Sequence, residues 1–154
     1  MLKDLLPAKD KIAKIIETMP EDERKRAFSV LAKLKVDMST CKSELSGTQV
    51  VGFIFNNKIQ NAQTHKEIFV KVVGIISSMF PDDIDRFFTI KGTKKTYFSY
   101  DFKDFTISYD SILLRNGKKL YIDTNDNAPQ LNRRCQRVLQ CFGFPPDELV
   151  IFTR

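Results

Sequence analysis

The sequence predicts an α+β fold in which a small antiparallel sheet packs against helices and follows a helical N-terminal extension. Apolar residues recur at helical spacing near the N-terminus, in the middle of the chain and near its end. Between the last two stretches lie short runs of β-branched and aromatic residues bounded by turn signals. With 154 residues, of which 42% are hydrophobic, the chain can bury an ordinary core.

The first 46 residues predict two amphipathic helices. The first has an apolar stripe at helical spacing, formed by Ile12, Ile15, Ile16 and Met19. Thr18-Met19-Pro20-Glu21 is typical of a capping box with an early proline, and a second stripe follows with Phe28, Leu31 and Leu34. Residues 37–48 are small and polar, which indicates a linker. We therefore predict an N-terminal extension over residues 1–46, available for homodimer formation or for covering the sheet, and a domain over residues 47–154.

The predicted domain begins with a hairpin and a core helix. Residues 49–55 are typical of a strand, and Asn56-Asn57 of a tight turn in a hairpin that ends near Gln60. Thr64-His65-Lys66-Glu67 is a second capping box, and a wide apolar stripe runs from it to Phe80. Pro81 should end this helix, and a short helix should follow with Ile84, Phe87 and Phe88 facing inwards.

The remainder predicts a β-rich stretch followed by one helix. Strands are expected at residues 96–98, 105–107, 112–114 and 120–122. Asn116-Gly117 predicts a type I′ turn between the last two, because such a turn needs positive φ at both central positions. A final helix is expected over residues 129–142, with Gly143 as its C-terminal cap.

The charge of the chain favours a polyanionic partner. Lysine and arginine outnumber aspartate and glutamate by 25 to 19, which gives a formal net charge of +6. The three cysteines lack the spacing of a structural zinc site, so reduced and mostly buried thiols are expected, with no metal and no cofactor. The N-terminus lacks the pattern of a secretory signal and no apolar run is long enough to cross a bilayer, which predicts a cytoplasmic protein.

Two segments carry candidate binding chemistry. In the basic turn Lys91-Gly92-Thr93-Lys94-Lys95, glycine allows backbone amides to approach a phosphate, and lysines and threonine supply charge and donors. A solvated charged turn is the alternative interpretation. In the asparagine loop Thr124-Asn125-Asp126-Asn127, the amides match the N6 and N7 edge of adenine, and the following helix carries Arg133, Arg134 and Arg137. The alternative is an ordinary helix N-cap at Asn127.

These segments stand in an order that resembles the DNA-binding domain of the SeqA family, bacterial proteins that recognise hemimethylated GATC sites. In that family a glycine-containing basic turn ending in Tyr-Phe is followed by a strand, a Thr-Asn-x-Asn loop and a helix closed by Phe-Pro. The corresponding residues here are 92–98, 121–127 and 135–145. The similarity spans roughly residues 64–150 and rests on the ordered set of motifs.

The resemblance implies a role for each matching position. Asn125 and Asn127 would read bases in the major groove of double-stranded DNA, with Thr124 and Asp126 as loop neighbours near the backbone. Gly92, Thr93, Lys94 and Lys95 would hold phosphates. Charge near the start of the helix adds Arg133 and Arg134 as backbone contacts. Thr93 and Lys95 stand where the family has two arginines, which removes bidentate contacts and predicts weaker phosphate binding.

The sequence therefore predicts a non-enzymatic DNA-binding protein associated with the nucleoid and sensitive to sequence or modification. Two other functions stay open: a sensor of modified DNA in a bacterial defence or restriction system, and a protein-interaction module with an acidic partner. A magnesium-dependent nuclease would need Asp82, Asp101 and Lys103 to act together, but Asp82 is typical of a helix start and Asp101 of a polar connection. His65, the only histidine, is expected at the surface without a nucleophile beside it.

Overall fold

A computed structural model describes residues 18–23, 26 and 49–153 and confirms the α+β class. The chain divides into two compact units, one formed by Thr64–Pro146 and the other by Met1–Gln63 with Asp147–Arg154. Thr18, residues 21–23 and Arg26 are helical, whereas Met19 and Pro20 are not. The remaining residues of the two predicted N-terminal stripes, and the predicted linker, lie outside the described residues. The predicted boundary near residue 47 stays a prediction.

Residues 49–153 form six strands, two α-helices and three short 3-10 helices. The strands are β1 (Val50–Phe55), β2 (Lys58–Asn61), β3 (Phe98–Ser99), β4 (Tyr109–Leu113), β5 (Lys119–Asp123) and β6 (Val150–Thr153). The α-helices are α1 (His65–Met79) and α2 (Ala128–Cys141). Short 3-10 helices cover Ile84–Thr89, Phe102–Asp104 and Pro146–Glu148. None of the helices in this described part of the chain has the length and apolar character needed to cross a membrane.

The unit formed by Met1–Gln63 and Asp147–Arg154 contains a three-stranded antiparallel sheet in the order β2-β1-β6. Asn56 and Asn57 connect β1 to β2 with φ angles of 50° and 59°, a conformation that asparagine tolerates better than most residues. The predicted hairpin turn is confirmed. Strand β6 was not predicted, because a four-residue segment at the end of the chain carries little periodicity of its own.

Helix α1 begins and ends where the sequence predicts. The Oγ1 atom of Thr64 accepts a hydrogen bond of 3.1 Å from the amide of Glu67, and the helix ends at Met79, two residues before Pro81. Its buried apolar residues lie on one face: Ile68, Phe69, Val72, Val73 and Ile76. Within the Thr64–Pro146 unit this helix packs against α2 and β4.

The second sheet has the order β3-β5-β4 and buries one of its two faces. Phe98, Leu120 and Ile122 are buried on that face. Phe87 fills the space beside them, with its ring centroid 5.1 Å from that of Phe98 and 4.8 Å from that of Phe142. A phenylalanine-rich core therefore holds this unit together.

Residues 105–107 do not form the predicted strand. Asp101 accepts a 3.0 Å hydrogen bond from the amide of Lys103 and so begins the 3-10 helix Phe102–Asp104. Ile107 remains 76% exposed. The prediction was wrong because this local carboxylate cap competes with strand pairing. The strand predicted at residues 96–98 is shifted as well, to Phe98–Ser99.

The connection between β4 and β5 also differs from the expected type I′ turn. Gly117 has a φ of 82°, whereas Asn116 is not in the positive-φ region. The amide of Gly117 donates to the carbonyl of Leu114 at 3.0 Å, and that of Leu114 to the carbonyl of Lys118 at 2.8 Å. This pattern is a three-residue loop with a left-handed glycine. The hairpin was predicted correctly and its turn type was not.

Helix α2 has a cap at each end. The Oδ1 atom of Asn127 accepts from the amide of Gln130 at 3.0 Å. At the other end Gly143 has a φ of 81°, and the amide of Phe144 donates to the carbonyl of Leu139 at 2.9 Å. The predicted glycine cap is confirmed. Between the caps, Cys135 is buried, and burial raises the pKa of its thiol to about 12.

His65 should make stability depend on pH. The ring is half-buried rather than at the surface, and its Nε2 atom is buried with no hydrogen-bond partner in the described residues. Burial lowers the pKa of His65 below its ordinary value of 6.5. The unfolded chain therefore takes up a proton at a higher pH than the folded chain, and stability is lost as pH falls from about 6.5 towards the lower folded pKa.

Urea unfolding at pH 7.5 and pH 5.5 tests whether His65 contributes to the pH dependence of stability. We expect His65→Asn to lose less stability than the parent protein between the two pH values. Equal losses would show that His65 does not contribute to the pH dependence.

Candidate nucleic-acid interface

The basic turn is a tight hairpin whose tip faces solvent. Lys91 pairs with Thr96, and the amide of Gly92 donates to the carbonyl of Lys95 at 3.0 Å. A Cβ atom on Gly92 would lie 2.8 Å from the hydroxyl oxygen of Tyr97, so a larger residue here would require the Tyr97 side chain to shift. Lys91, Thr93 and Lys94 are exposed. The turn thus presents two ammonium groups and a hydroxyl at the surface.

The asparagine loop combines buried and exposed side chains. Thr124 is buried, its amide donates to the carbonyl of Ser108 at 3.0 Å, and its hydroxyl lies 2.9 Å from that of Ser108. Asn125 is exposed, and its backbone amide donates to Oδ1 of Asp123 at 2.9 Å. Its side-chain amide makes no hydrogen bond within the described residues. Asn125 is therefore the loop residue best placed to meet a ligand.

Asn127 caps helix α2, in addition to any role in binding. Its Oδ1 atom caps α2, which leaves the Nδ2 group as the available part of its side chain. The predicted N-cap alternative is therefore correct for the oxygen of this residue. A substitution that removes the oxygen would also destabilise the start of the helix.

A cluster of four charged side chains joins the basic turn to the asparagine loop. The Lys95 ammonium lies 2.9 Å from Oδ2 of Asp123 and 3.7 Å from Oδ2 of Asp126. It also donates to the backbone carbonyl of Asn125 at 3.0 Å. Arg134 also pairs with Asp123 at 3.4 Å and with Asp126. Residues far apart in sequence thereby hold the two predicted segments side by side.

Arg134 occupies the interior of this cluster. Its side chain is 3% exposed, it donates to the carbonyl of Asp123 at 2.7 Å, and its guanidinium carbon lies 3.9 Å from the centre of the Tyr97 ring. The prediction placed Arg134, Thr124 and Asp126 at the DNA backbone. In the structure Arg134 and Thr124 are buried and Asp126 is an ion-pair partner, so their geometry fits support of the loop instead of phosphate contact. Lys95 is likewise engaged with carboxylates.

The positive charge that remains available forms a surface that we call the basic face, consisting of Lys91, Lys94, Arg133 and Arg137. All four are exposed, and no carboxylate among the described residues lies within ion-pair distance of them. Arg133 and Arg137 are neighbours one turn apart on α2. Arg137 donates to the carbonyl of Lys91 at 3.2 Å, which connects the helix to the basic turn.

Two members of the basic face were missed as site residues. Lys91 belongs to the predicted basic turn but was not assigned a contact. Arg137 lies one helical turn beyond Arg133, and this spacing could have indicated that the two arginines share a face of the helix. The sequence could not distinguish Arg137 from Arg134, because only the fold shows which arginine turns inwards.

An open cleft of about 740 Å³ lies beside these groups. It is lined by residues 91–96 of the basic turn, by residues 104–107, and by Asp123 and Asn125. Asp104 is held by the hydroxyl of Ser99. Lysines and the apolar side chains of Phe105 and Ile107 thus border the same space. The cleft can receive an anionic ligand that also has an apolar part.

The described residues also bear on the metal and nuclease alternatives. No group of three or more histidine, cysteine, aspartate or glutamate side chains in residues 18–23, 26 and 49–153 is arranged to hold a metal ion. Asp101, a member of the nuclease alternative, caps its own 3-10 helix. Comparisons with protein-family models, with curated proteins and with solved structures found no match to this chain.

Proposed function

We propose that the Thr64–Pro146 unit binds double-stranded DNA, with the basic face on the phosphates and the asparagine loop at the base edges. The observation that carries this proposal is the hydrogen bond from Lys95 to the carbonyl of Asn125. It places the exposed amide of Asn125 beside a turn whose other two lysines are free of carboxylate partners among the described residues.

The division of work within the site follows from the contacts. Lys91, Lys94, Arg133 and Arg137 are the available cations, and cations that release counterions from DNA supply most of the affinity. Asn125 can donate and accept at once, which suits the N6 and N7 edge of adenine. Asn127 adds only its Nδ2 donor. Lys95 and Arg134 hold the loop in place, because their charges are already paired.

Binding of labelled 20-base-pair duplexes, followed by fluorescence anisotropy over a range of salt concentrations, tests the affinity part. We expect Lys94→Ala to weaken binding to every duplex and to reduce the salt slope by about 1. Lys119→Ala is the matched control, since Lys119 is exposed at the opposite end of β5 from Asp123 and should leave both quantities unchanged. Equal effects of the two substitutions would refute binding through the basic turn.

A panel of unmodified, hemimethylated and hydroxymethylated duplexes, with and without GATC, tests the recognition part. Asn125→Ala should reduce discrimination between the best and worst duplex by about 1–3 kcal/mol while leaving the salt slope unchanged. Asn127→Ser keeps an acceptor for the N-cap and removes the amide donor, so it separates base contact from helix capping. If Asn125→Ala weakens all duplexes equally, this residue does not read bases.

A further inference from the structure

Four aromatic rings form a partly exposed cluster on the second sheet, which we call the aromatic cluster: Phe102, Phe105, Tyr109 and Tyr121. The ring centroids of Tyr109 and Tyr121 lie 5.9 Å apart, and Phe102 lies 6.5 Å from Tyr109 and 6.0 Å from Tyr121. Phe102 is 47% exposed and Tyr109 is 44% exposed. Large apolar side chains with this exposure, grouped together, mark a binding surface more often than isolated ones do.

The cluster lies on the face of the sheet that does not pack into the core. Ser111 pairs with Tyr121 and Tyr109 with Asp123, so the two tyrosines are diagonal neighbours on one face. The opposite face carries the buried Leu120 and Ile122, and Ile112 on that side lies against Gly74 of α1. The rings are therefore not needed to fill the interior between sheet and helix.

The cluster is continuous with the basic cleft. Phe105 lines the same cleft as the basic turn, and its ring lies 6.1 Å from that of Tyr109. Lysines of the basic turn and one ring of the aromatic cluster thus line the same cleft. Asp123, which pairs with Tyr109 across the sheet, is held by Lys95 and Arg134, and Asp104 accepts a hydrogen bond from Ser99. This charge distribution favours phosphates towards the lysines and uncharged groups towards the rings.

From this juxtaposition we propose that the aromatic cluster stacks unpaired bases of a DNA strand whose phosphates contact Lys91 and Lys94 across the cleft. The inference rests on the proposed binding of DNA by this unit and extends it to a second site. Every base has an aromatic face, and alternating stacking surfaces and cations are the chemistry by which proteins hold unpaired nucleotides. The unpaired base can come from a single strand or from a duplex position that lacks its partner.

Oligonucleotides that contain 2-aminopurine test the proposal, because the fluorescence of this base is quenched when it stacks. Three probes are compared: a single strand, a duplex with 2-aminopurine opposite an abasic site, and a fully paired duplex of the same sequence. We expect the 2-aminopurine fluorescence to fall when the protein binds the single strand, the abasic duplex or both. Comparing these two probes shows whether the stacked base comes from a single strand or from an unpaired position in a duplex.

Substitutions of individual rings test whether the aromatic cluster is responsible for binding the unpaired probe. Phe102→Leu and Tyr109→Leu remove a stacking face, and each should weaken binding of the unpaired probe by about 5- to 150-fold. Tyr109→Phe keeps the ring and should bind as the parent protein does. Unchanged far-ultraviolet circular dichroism and an unchanged urea midpoint, measured by the same circular dichroism, establish that the leucine variants retain the fold.

The outcomes separate this inference from the proposed function. Unquenched fluorescence in the bound complex, no binding of either unpaired probe, or equal affinity of the leucine variants would overturn the aromatic site, even if the paired duplex binds through Lys94. Quenched binding of unpaired probes by a protein that ignores the paired duplex would support the aromatic site and reject the duplex-binding function.

Discussion

Arg134→Ala should lower the free energy of unfolding of the Thr64–Pro146 unit by about 3–5 kcal/mol, because it removes one partner from a buried ion cluster. Asp123 is 5% exposed and would keep only Lys95 as a charged partner. The substitution also removes the hydrogen bond to the carbonyl of Asp123 and the contact with the face of Tyr97. Breaking these contacts leaves buried polar groups unsatisfied, which is costlier than losing a surface ion pair.

Urea unfolding followed by tyrosine fluorescence measures this loss specifically. All four tyrosines of the chain lie within Thr64–Pro146, and the chain has no tryptophan. Arg133→Ala is the matched control, since Arg133 is the preceding residue of α2 and is exposed, and its effect should stay within about 0.5 kcal/mol. The loss in the free energy of unfolding for Arg134→Lys should lie between those of Arg133→Ala and Arg134→Ala, because lysine keeps the charge and loses the planar guanidinium group. Similar values for Arg133→Ala and Arg134→Ala would contradict the structural role of Arg134.

Phe87→Ala should cost about 3–5 kcal/mol in the same measurement. The Phe87 side chain is fully buried and its ring contacts those of Phe98 on β3 and Phe142 at the end of α2. Truncation leaves a cavity where a strand and a helix meet, and aromatic pair contacts are lost in addition to buried area.

The neighbouring Phe88 provides the comparison. It is only half-buried and contacts the exposed ring of Tyr100 at 4.9 Å, so Phe88→Ala should cost clearly less. Phe87→Leu should also cost less than Phe87→Ala, because leucine fills part of the cavity. If Phe87→Ala is no more damaging than Phe88→Ala, the core does not centre on Phe87.

Structural features that are determined by a few neighbouring residues could be predicted from the sequence. The cap at Thr64, the stop before Pro81, the Asn56-Asn57 turn and the left-handed Gly143 depend on local hydrogen bonds and on backbone sterics. The error at residues 105–107 arose because a local cap at Asp101 competed with a strand pattern of similar strength. Strand β6 was missed because its stability comes from pairing with β1, which is remote in sequence.

In the candidate site, too, the features that depend on neighbouring residues were predictable and those that depend on residues remote in sequence were not. Composition and motif order singled out the basic turn and the asparagine loop, and the structure places them in contact. The direction of each side chain was not predictable. Arg134 and Arg133 are adjacent in sequence, yet one is buried among carboxylates and the other is exposed. The aromatic cluster went unnoticed because its members come from three separate segments that meet only on the folded sheet.

By itself the sequence determined the fold class, the caps at Thr64 and Gly143, the Asn56-Asn57 turn and the identity of the two polar segments, because these follow from periodicity and from interactions between near neighbours. Tertiary structure alone decided which cations stay free, which support the loop and which rings share a surface. Those outcomes depend on pairs such as Lys95 with Asp123 and Arg134 with Asp126, whose partners are brought together only when the sheet and α2 pack.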